Sequence, residues 1–276
     1  IAAYLGWRAT PGRATLRPIA EREGGNRPMP DQGDMLQRTA DRLFADHITP
    51  RTLAAAESGV WPHAAWAAVE AAGLTRALLP EAAGGFGVEP AEALALLATA
   101  GAHAVPLPLA ETMLAGWLLA DAGLAMPDGP LSVAPVRASD SLTLVPRPGG
   151  WRLAGTVRRI PWGRDAVALA VLATHRGAAM VALAPAGGWT LEPGANLALE
   201  PRDTLQIGVD LPTEAVAQAG PEAGHLRALG AALRCQQIAG APRRLVGIST
   251  QYALDRTQFG RPIGMFQAVQ HHLAVL

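Results

Sequence analysis

The sequence predicts an α+β multidomain protein with an N-terminal helical domain, a middle β domain and the beginning of a C-terminal helical bundle. Apolar residues recur at helical spacing between residues 34 and 125. Between residues 126 and 218 apolar and polar residues alternate instead, most regularly from Leu205 to Leu211. That alternation is the period of a half-buried strand. A helical pattern returns over residues 219–276, so helices flank a β domain on both sides in the chain.

The first residues show no period that would predict a helix or a strand. Residues 1–33 are rich in Arg, Gly and Pro. We interpret them as a disordered leader, or as translated upstream sequence ahead of a start at Met29 or Met35. Four helices are predicted in the domain over residues 34–125. The first ends at Thr49-Pro50, and the others begin near Pro62, at Glu89-Pro90 and near Leu107.

The middle domain is predicted to be all-β. Short apolar runs at residues 166–173 and 178–184 suit buried strands, and turn signals such as Gly187-Gly188 separate them. Their spacing is that of a β-barrel or a β-sandwich. Gly220-Pro221-Glu222 then opens a long helix. Pro242 should kink this helix or leave a carbonyl unpaired, while Gly240 and Gly247 offer a flat face for close helix packing.

Composition excludes several classes of function. The 23 basic residues, all arginine, balance 23 acidic ones, so no basic field would attract nucleic acid. No apolar run is long enough to span a membrane. Cys235 is the only cysteine, which excludes a disulfide framework, and its apolar helical surroundings predict a buried thiol. The adjacent His271 and His272 diverge on a helix, so we expect no metal site, and we expect a cytoplasmic location.

The most informative stretch is the break between two helices near residue 256. Arg256, Thr257, Gln258 and Phe259 supply a fixed cation, a hydroxyl, an amide and an aromatic ring, and Gly260 follows them. A guanidinium binds phosphate oxygens two at a time, and an aromatic ring packs on a flat face, so the set suits a phosphorylated ligand with a planar ring. The alternative is that Arg256 is an ordinary helix C-terminal cation and Phe259 a core residue.

The pattern R-x-Q-F-G-x-P-I-x-x-F-Q-x-x-Q-H-x-L-A, beginning at Arg256, resembles the flavin-contacting helix junction of the acyl-CoA dehydrogenase family. The resemblance implies that Arg256, Gln258 and Phe259 contact the pyrophosphate and adenosine half of the FAD of a neighbouring subunit. It also implies that Gln267 adds a hydrogen bond. Gly73-Leu74 and Pro80-Glu81 resemble the N-terminal domain of the same family. The family architecture implies that the middle domain is a β-barrel.

Three departures from the family pattern concern the chain's own flavin and catalytic sites. The usual T-E-P-x-x-G-S-D segment is reduced to Ala138-Ser139-Asp140. The W-I-T segment, which packs on the flavin ring in the family, is replaced by Arg159-Ile160-Pro161, with Trp162 displaced. The helix stretch 229–234, where a minority of members carry the catalytic base, contains no acid. We therefore expect the base to lie beyond residue 276 and assign no catalytic residue.

Two functions are compatible with these residues. The first is an FAD-dependent acyl-CoA dehydrogenase of fatty acid metabolism, which forms a trans-2-enoyl product from an acyl-CoA substrate. It would form a homo- or hetero-oligomer and pass electrons to an electron-transfer flavoprotein or a similar acceptor. The second is a catalytically silent subunit that completes the FAD site of an active, identical or paralogous partner. An unrelated α–β–α protein is a third possibility. On either family-based hypothesis, we expect the 276 residues alone to show little or no activity.

Overall fold

Five α-helices form the N-terminal part of the chain in the computed structural model, which describes residues 32–220 and 223–275. They are α1 (Gln32–His47), α2 (Pro50–Glu57), α3 (His63–Ala71), α4 (Pro90–Ala102) and α5 (Leu109–Asp121). Most of the predicted leader, residues 1–31, lies outside the described residues, and Gln32 and Gly33 already belong to α1.

Helix α2 is absent from the sequence-based prediction, because Thr49-Pro50 indicates the end of α1 when periodicity alone is considered. The Thr49 hydroxyl oxygen instead accepts a hydrogen bond from the Thr52 backbone N–H at 3.2 Å, and Pro50 occupies the first helical position. Both features are typical of a helix N-terminus. The same dipeptide therefore ends one helix and starts the next, and the prediction of four helices was wrong by one.

Helix α5 joins the helical part of the chain to the sheet. Ten of its thirteen residues are buried, because it packs in the helical core on one side and on strand β1 (Leu131–Ala134) on the other. The buried Thr112 hydroxyl donates to the Leu131 carbonyl at 3.2 Å, and its oxygen accepts from the Leu131 N–H at 3.0 Å. These two bonds satisfy the backbone carbonyl and N–H of Leu131, which would otherwise be buried without partners.

Eight strands form one sheet in the middle of the chain. After β1 they are β2 (Thr143–Arg147), β3 (Gly150–Pro161), β4 (Ala168–His175), β5 (Ala178–Pro185), β6 (Trp189–Glu192), β7 (Arg202–Pro212) and β8 (Val216–Gln218). Their order is β6-β7-β3-β2-β4-β5-β8, with β1 pairing in parallel with β4. The α+β class is confirmed. The closed barrel is not, since β6 and β8 end the sheet without pairing to each other within the described residues.

Strand β4 separates two hydrophobic cores. Ala168, Ala170 and Leu172 face the core shared with the helices, while Leu169 and Val171 face a second core enclosed by the sheet. Successive side chains of a strand point to opposite faces, so a continuously apolar strand is buried on both. The run at 166–173 therefore belongs to the strand that both parts of the molecule share.

The C-terminal part consists of a long helix, a short hairpin and a final helix. They are α6 (Ala223–Asp255), β9 (Thr257–Gln258), β10 (Arg261–Pro262) and α7 (Gln267–Val275). Helix α6 continues through Pro242 as one 33-residue helix, so the proline does not end it. The predicted burial of Cys235 was wrong, because its side chain lies on an exposed face of α6. Among the described helices, none combines the length and hydropathy required to cross a membrane.

Helices α4 and α6 cross in direct backbone contact. A Cβ atom added to Gly240 would lie 1.8 Å from the Ala98 carbonyl oxygen, and one added to Gly101 would lie 1.9 Å from that of Gln237. The close-packing prediction is thus confirmed for Gly240. It was wrong for Gly247, where an added Cβ would meet nothing within 4 Å. The crossing leaves no room for a ligand between the two helices at this point.

Candidate functional sites

The residues predicted to contact a cofactor lie in and beside the β9–β10 hairpin, which follows α6 and has a two-residue turn. Gln258 pairs with Arg261 across the hairpin, and Phe259 and Gly260 form the turn with φ of 52° and 80°. A turn with two positive φ values has the hand that joins two antiparallel strands tightly, and glycine adopts it without strain. The F-G dipeptide therefore forms a tight turn at the helix break.

The hairpin is held at its base and packed from behind. The Ile263 N–H donates to the Arg256 carbonyl at 2.8 Å, and the Arg256 N–H donates to the Tyr252 carbonyl at 2.9 Å. The Phe259 ring meets the Phe266 ring edge-on at 6.1 Å, and the Arg261 guanidinium carbon lies 4.3 Å from the Phe266 ring centre. An edge-on ring pair and a cation over a ring face are both favourable contacts.

All four predicted cofactor residues are exposed. Phe259 is 93% exposed, which is incompatible with the alternative that it fills the core of this chain. Arg256, Gln258 and Gln267 are exposed as well, and the Gln258 amide donates to the neighbouring Thr257 carbonyl at 3.0 Å. The structure brings these residues to one end of α6, away from the two cavities that lie farther along that helix. Their chemistry fits the phosphates and flat adenine of a dinucleotide.

A cavity of about 400 Å³, which we call the arginine cavity, lies between α5, α6 and the sheet. Its walls are apolar where the helices and β1 contribute, at Leu114, Val133, Leu226 and Leu233. Five arginines and one carboxylate supply its charges. They are Arg137, Arg159, Arg202, Arg227, Arg234 and Glu111.

Two glutamates, one buried and one half-buried, neutralise two of the five arginines. Arg234 donates to the Glu111 carboxylate, which is 5% exposed, and also lies 3.7 Å from Glu200. Arg202 donates to Glu200 at 2.7 Å. Asn196 donates to the same carboxylate at 2.8 Å. Both glutamates are therefore held in ion pairs with arginines.

Arg159 reaches the arginine cavity because β3 contains an irregularity. The pairing of β3 with β7 shifts register between Val157 and Ile160, so Arg158 and Arg159 leave the ladder. Arg158 binds the buried Asp140, to which its backbone N–H donates at 2.7 Å and its side chain at 3.1 Å. Arg159 adopts a φ of 60°, which is strained for a residue with a Cβ. Bulges of this kind often redirect a side chain toward a site.

The residues around this irregularity do not fit a flavin ring stacked on this chain's own sheet. Arg159 stands where the family pattern has an aromatic side chain, and it presents a charge instead of a flat apolar face. Trp162 does not replace that ring. It is buried, with 6% exposure, and meets Trp61 edge-on at 6.0 Å, on the wall of a different cavity. Ser139-Asp140 is what remains of the family's T-E-P-x-x-G-S-D segment, and its Asp140 carboxylate binds the Arg158 guanidinium.

That second cavity, the tryptophan cavity, has a volume of about 840 Å³ and lies between α2, α4, α6 and the loop before β7. Trp61, Trp162, Leu199 and Ile238 give it large apolar surfaces. Arg202 and Arg234 line both cavities, so the glutamate–arginine network forms the partition between them. The two cavities are therefore neighbours along α6.

Asp165, on the wall of the tryptophan cavity, has a clearly perturbed pKa. Burial raises the pKa of this carboxyl above its ordinary value, Arg164 opposes the shift and Asp203 adds to it. The folded chain therefore holds the proton more tightly than the unfolded chain. This group lowers the free energy of unfolding as pH rises above about 3.9, the usual aspartate pKa.

We expect Asp165→Asn to stabilise the protein at neutral pH, because it removes a partly buried charge. The melting temperature should exceed that of the wild type by about 2 °C at pH 7–8. The difference should disappear as the pH falls toward 4. Thermal unfolding across this pH range measures it, and a variant less stable than the wild type at pH 8 would contradict the expected direction.

Sequence reasoning did not identify the arginine cavity or Asp165. The replacement of the family's aromatic residue by Arg159 was visible, and so was the Arg158-Arg159 pair inside an apolar strand. Those signals could have indicated a bulge that redirects a cation toward this cavity. No group of three or more His, Cys, Asp or Glu residues that could hold a metal occurs in the parts of the chain that the structure covers.

Two family profiles match the chain. The one described as "Acyl-CoA dehydrogenase, N-terminal domain" matches residues 30–125, and the one described as "Acyl-CoA dehydrogenase, C-terminal domain" matches residues 228–276. Among curated proteins, the acyl-CoA dehydrogenase IpdE2 of Mycobacterium tuberculosis is 30% identical over 250 residues, which span 90% of this chain and 71% of that protein.

Solved structures share the fold over most of the chain. The Tcur3481-Tcur3483 steroid ACAD, in its G363A variant, superposes with a TM-score of 0.71 and 31% identity, covering 88% of this chain and 72% of that chain. The ChsE4-ChsE5 complex from Mycobacterium tuberculosis superposes with a TM-score of 0.75 and 24% identity, covering 90% and 73%. The second likeness concerns the fold alone.

Proposed function

Because this chain belongs to the acyl-CoA dehydrogenase family, we propose that it is a subunit of an FAD-dependent acyl-CoA dehydrogenase whose hairpin completes an FAD site on a neighbouring subunit. The observation that carries the proposal is the exposed β9–β10 hairpin with the residue before it. There the Arg256 guanidinium, the Gln258 amide and the 93% exposed Phe259 ring lie together, and the hairpin packs on Phe266. A side chain held in place before binding loses less conformational entropy when the ligand arrives.

The four residues in and beside the hairpin have separate roles in holding the cofactor. Arg256 binds pyrophosphate oxygens through charge-assisted hydrogen bonds. Phe259 packs on the flat adenine, Gln258 hydrogen-bonds the polar edge of the adenosine half, and Gln267 adds a further hydrogen bond. Bound FAD would supply the hydride acceptor for α,β-dehydrogenation of an acyl-CoA to its trans-2-enoyl product, and a carboxylate would have to take the α-proton.

The silent-subunit form of this proposal is favoured by the chain's own site. The arginine cavity presents Arg159 in place of a ring, and its lining carboxylate, Glu111, is bound to Arg234. The alternative is that this subunit is itself catalytic, in which case its base would have to lie beyond residue 276. The IpdE2 relative is named an acyl-CoA dehydrogenase, and the steroid ACAD relative is named as a pair, Tcur3481-Tcur3483, which is compatible with a paralogous partner.

The substrate and the other partners follow from the family. We propose an acyl-CoA substrate, and the steroid ACAD among the relatives makes a steroid-derived acyl group one candidate. An electron-transfer flavoprotein or a similar acceptor would reoxidise the flavin.

The test is Arg256→Ala in the full-length protein purified together with its partner subunit. Losing one charge-assisted phosphate contact costs about 1.5–3 kcal/mol, so FAD should dissociate roughly 10–100 times more readily. The flavin absorbance retained after gel filtration measures this. Arg38→Ala removes the same charge from an exposed site on α1 and should leave the flavin content unchanged.

The FAD content of the wild-type assembly separates the two forms of the proposal. A silent own site predicts about half as many FAD molecules as subunits, since only the partner's sheet would hold a flavin ring. Equal numbers of FAD molecules and subunits would refute the silent-subunit form of the proposal, but they would remain compatible with an FAD site shared through the hairpin. Full flavin retention by Arg256→Ala would refute the shared site itself.

A further inference from the structure

The arginine cavity carries more positive charge than the chain itself neutralises. Five arginines line it, and Glu111 and Glu200 are paired to two of them, Arg234 and Arg202. Within residues 32–220 and 223–275, no carboxylate lies at salt-bridge distance from the remaining three, Arg137, Arg159 and Arg227. Three like charges remain around a cavity of about 400 Å³.

These three cations come from three separate parts of the fold. Arg137 lies in the loop after β1, Arg159 leaves the irregular part of β3, and Arg227 lies in the second turn of α6. Arg137 and Arg159 are exposed and Arg227 is half-buried, so water solvates these charges and screens their mutual repulsion while no ligand is bound. Arg159 also carries backbone strain, with its φ of 60°. Strain of this kind persists where the surrounding structure enforces it, and it is frequent at ligand sites.

The remaining walls define what kind of anion would fit. Leu114, Val133, Leu226 and Leu233 form an apolar lining, and the neutralised Arg234 closes the end toward the tryptophan cavity. A small inorganic ion would leave these apolar surfaces exposed to water. A ligand with an oxyanion on an apolar body would satisfy the cations and bury the apolar surface together.

We propose that the arginine cavity binds an organic oxyanion, with its anionic group between Arg137, Arg159 and Arg227 and its apolar part against α5 and α6. The anionic group is a carboxylate or a phosphate, and the apolar lining favours a carboxylate on a hydrophobic body. This site is separate from the shared hairpin and does not depend on it.

The test is calorimetric titration of the purified full-length assembly with two probes, decanoate for a carboxylate on an apolar body and inorganic pyrophosphate for a phosphate source. We expect decanoate to bind, and Arg137→Gln/Arg159→Gln to weaken that binding at least about tenfold, since each substitution removes a charge-assisted hydrogen bond. Arg38→Gln is the charge-matched control. Arg227→Gln, on a different element, is a second test if the double variant folds poorly.

Pyrophosphate binding that depends on the same arginines would also support the site and would identify phosphate as its source. The proposal is overturned if neither probe binds at millimolar concentration, or if binding of both is unchanged in the double variant and in Arg227→Gln. Flavin content should stay at the wild-type level in the Arg227→Gln variant even if oxyanion binding is lost. A failure of this site is therefore distinguishable from a failure of the shared FAD site.

Discussion

Replacing Gly240 by alanine should cause a large loss of stability, because it would force α4 and α6 apart. The new Cβ would lie 1.8 Å from the Ala98 carbonyl oxygen and close to the Ala102 nitrogen, and both are backbone atoms. Neither can move unless α4 shifts as a unit, and the shift would open the core between the two helices. We expect a loss of at least about 3 kcal/mol in the free energy of unfolding, measured by urea denaturation.

Gly247 provides the matched control on the same helix. A Cβ added there meets nothing within 4 Å. Gly247→Ala should therefore stabilise the helix by roughly 0.5–1 kcal/mol, because alanine has the better helix propensity. If both variants were destabilised equally, the loss at Gly240 would reflect helix α6 alone, and the close crossing with α4 would not be its cause.

Asp203→Ala should produce the second large loss of stability. The Asp203 side chain is fully buried and accepts hydrogen bonds from the Gly194 N–H at 3.1 Å, the Arg164 N–H at 2.9 Å and the Arg164 guanidinium. Its removal leaves two backbone donors without partners and a cation without its counter-ion. Breaking such a pair costs about 3–5 kcal/mol, and we expect about 3 because Arg164 is 39% exposed and can be partly hydrated.

Asp210 is the comparison for Asp203 on the same strand, β7. It pairs with Arg152 at 3.3 Å, but its side chain is 74% exposed. Exposed ion pairs contribute at most about 1 kcal/mol, so Asp210→Ala should be nearly neutral in the same denaturation experiment. Equal losses for the two variants would show that the burial of Asp203 is not what makes it important.

The two candidate sites differ in how far the sequence could predict them. The hairpin residues lie within a dozen positions, and Gly260 and Pro262 mark the helix break locally. Their proximity is therefore a property of the chain itself. Arg137, Arg159 and Arg227 are separated by tens of residues, and a period or a motif does not connect them. Only the irregular β3 pairing and the packing of α6 on the sheet bring them around one cavity.

The same distinction holds for the fold. The sequence by itself determined the helix, strand and helix segments, because apolar periodicity follows from which face of each element is buried. It also determined the turn at Phe259-Gly260 and the close approach at Gly240. The open sheet, the exposed side of α6 at Gly247 and Cys235, and the arginine cavity were decided by tertiary structure. They depend on which elements meet and in what register, and that is set by contacts between residues far apart in the chain.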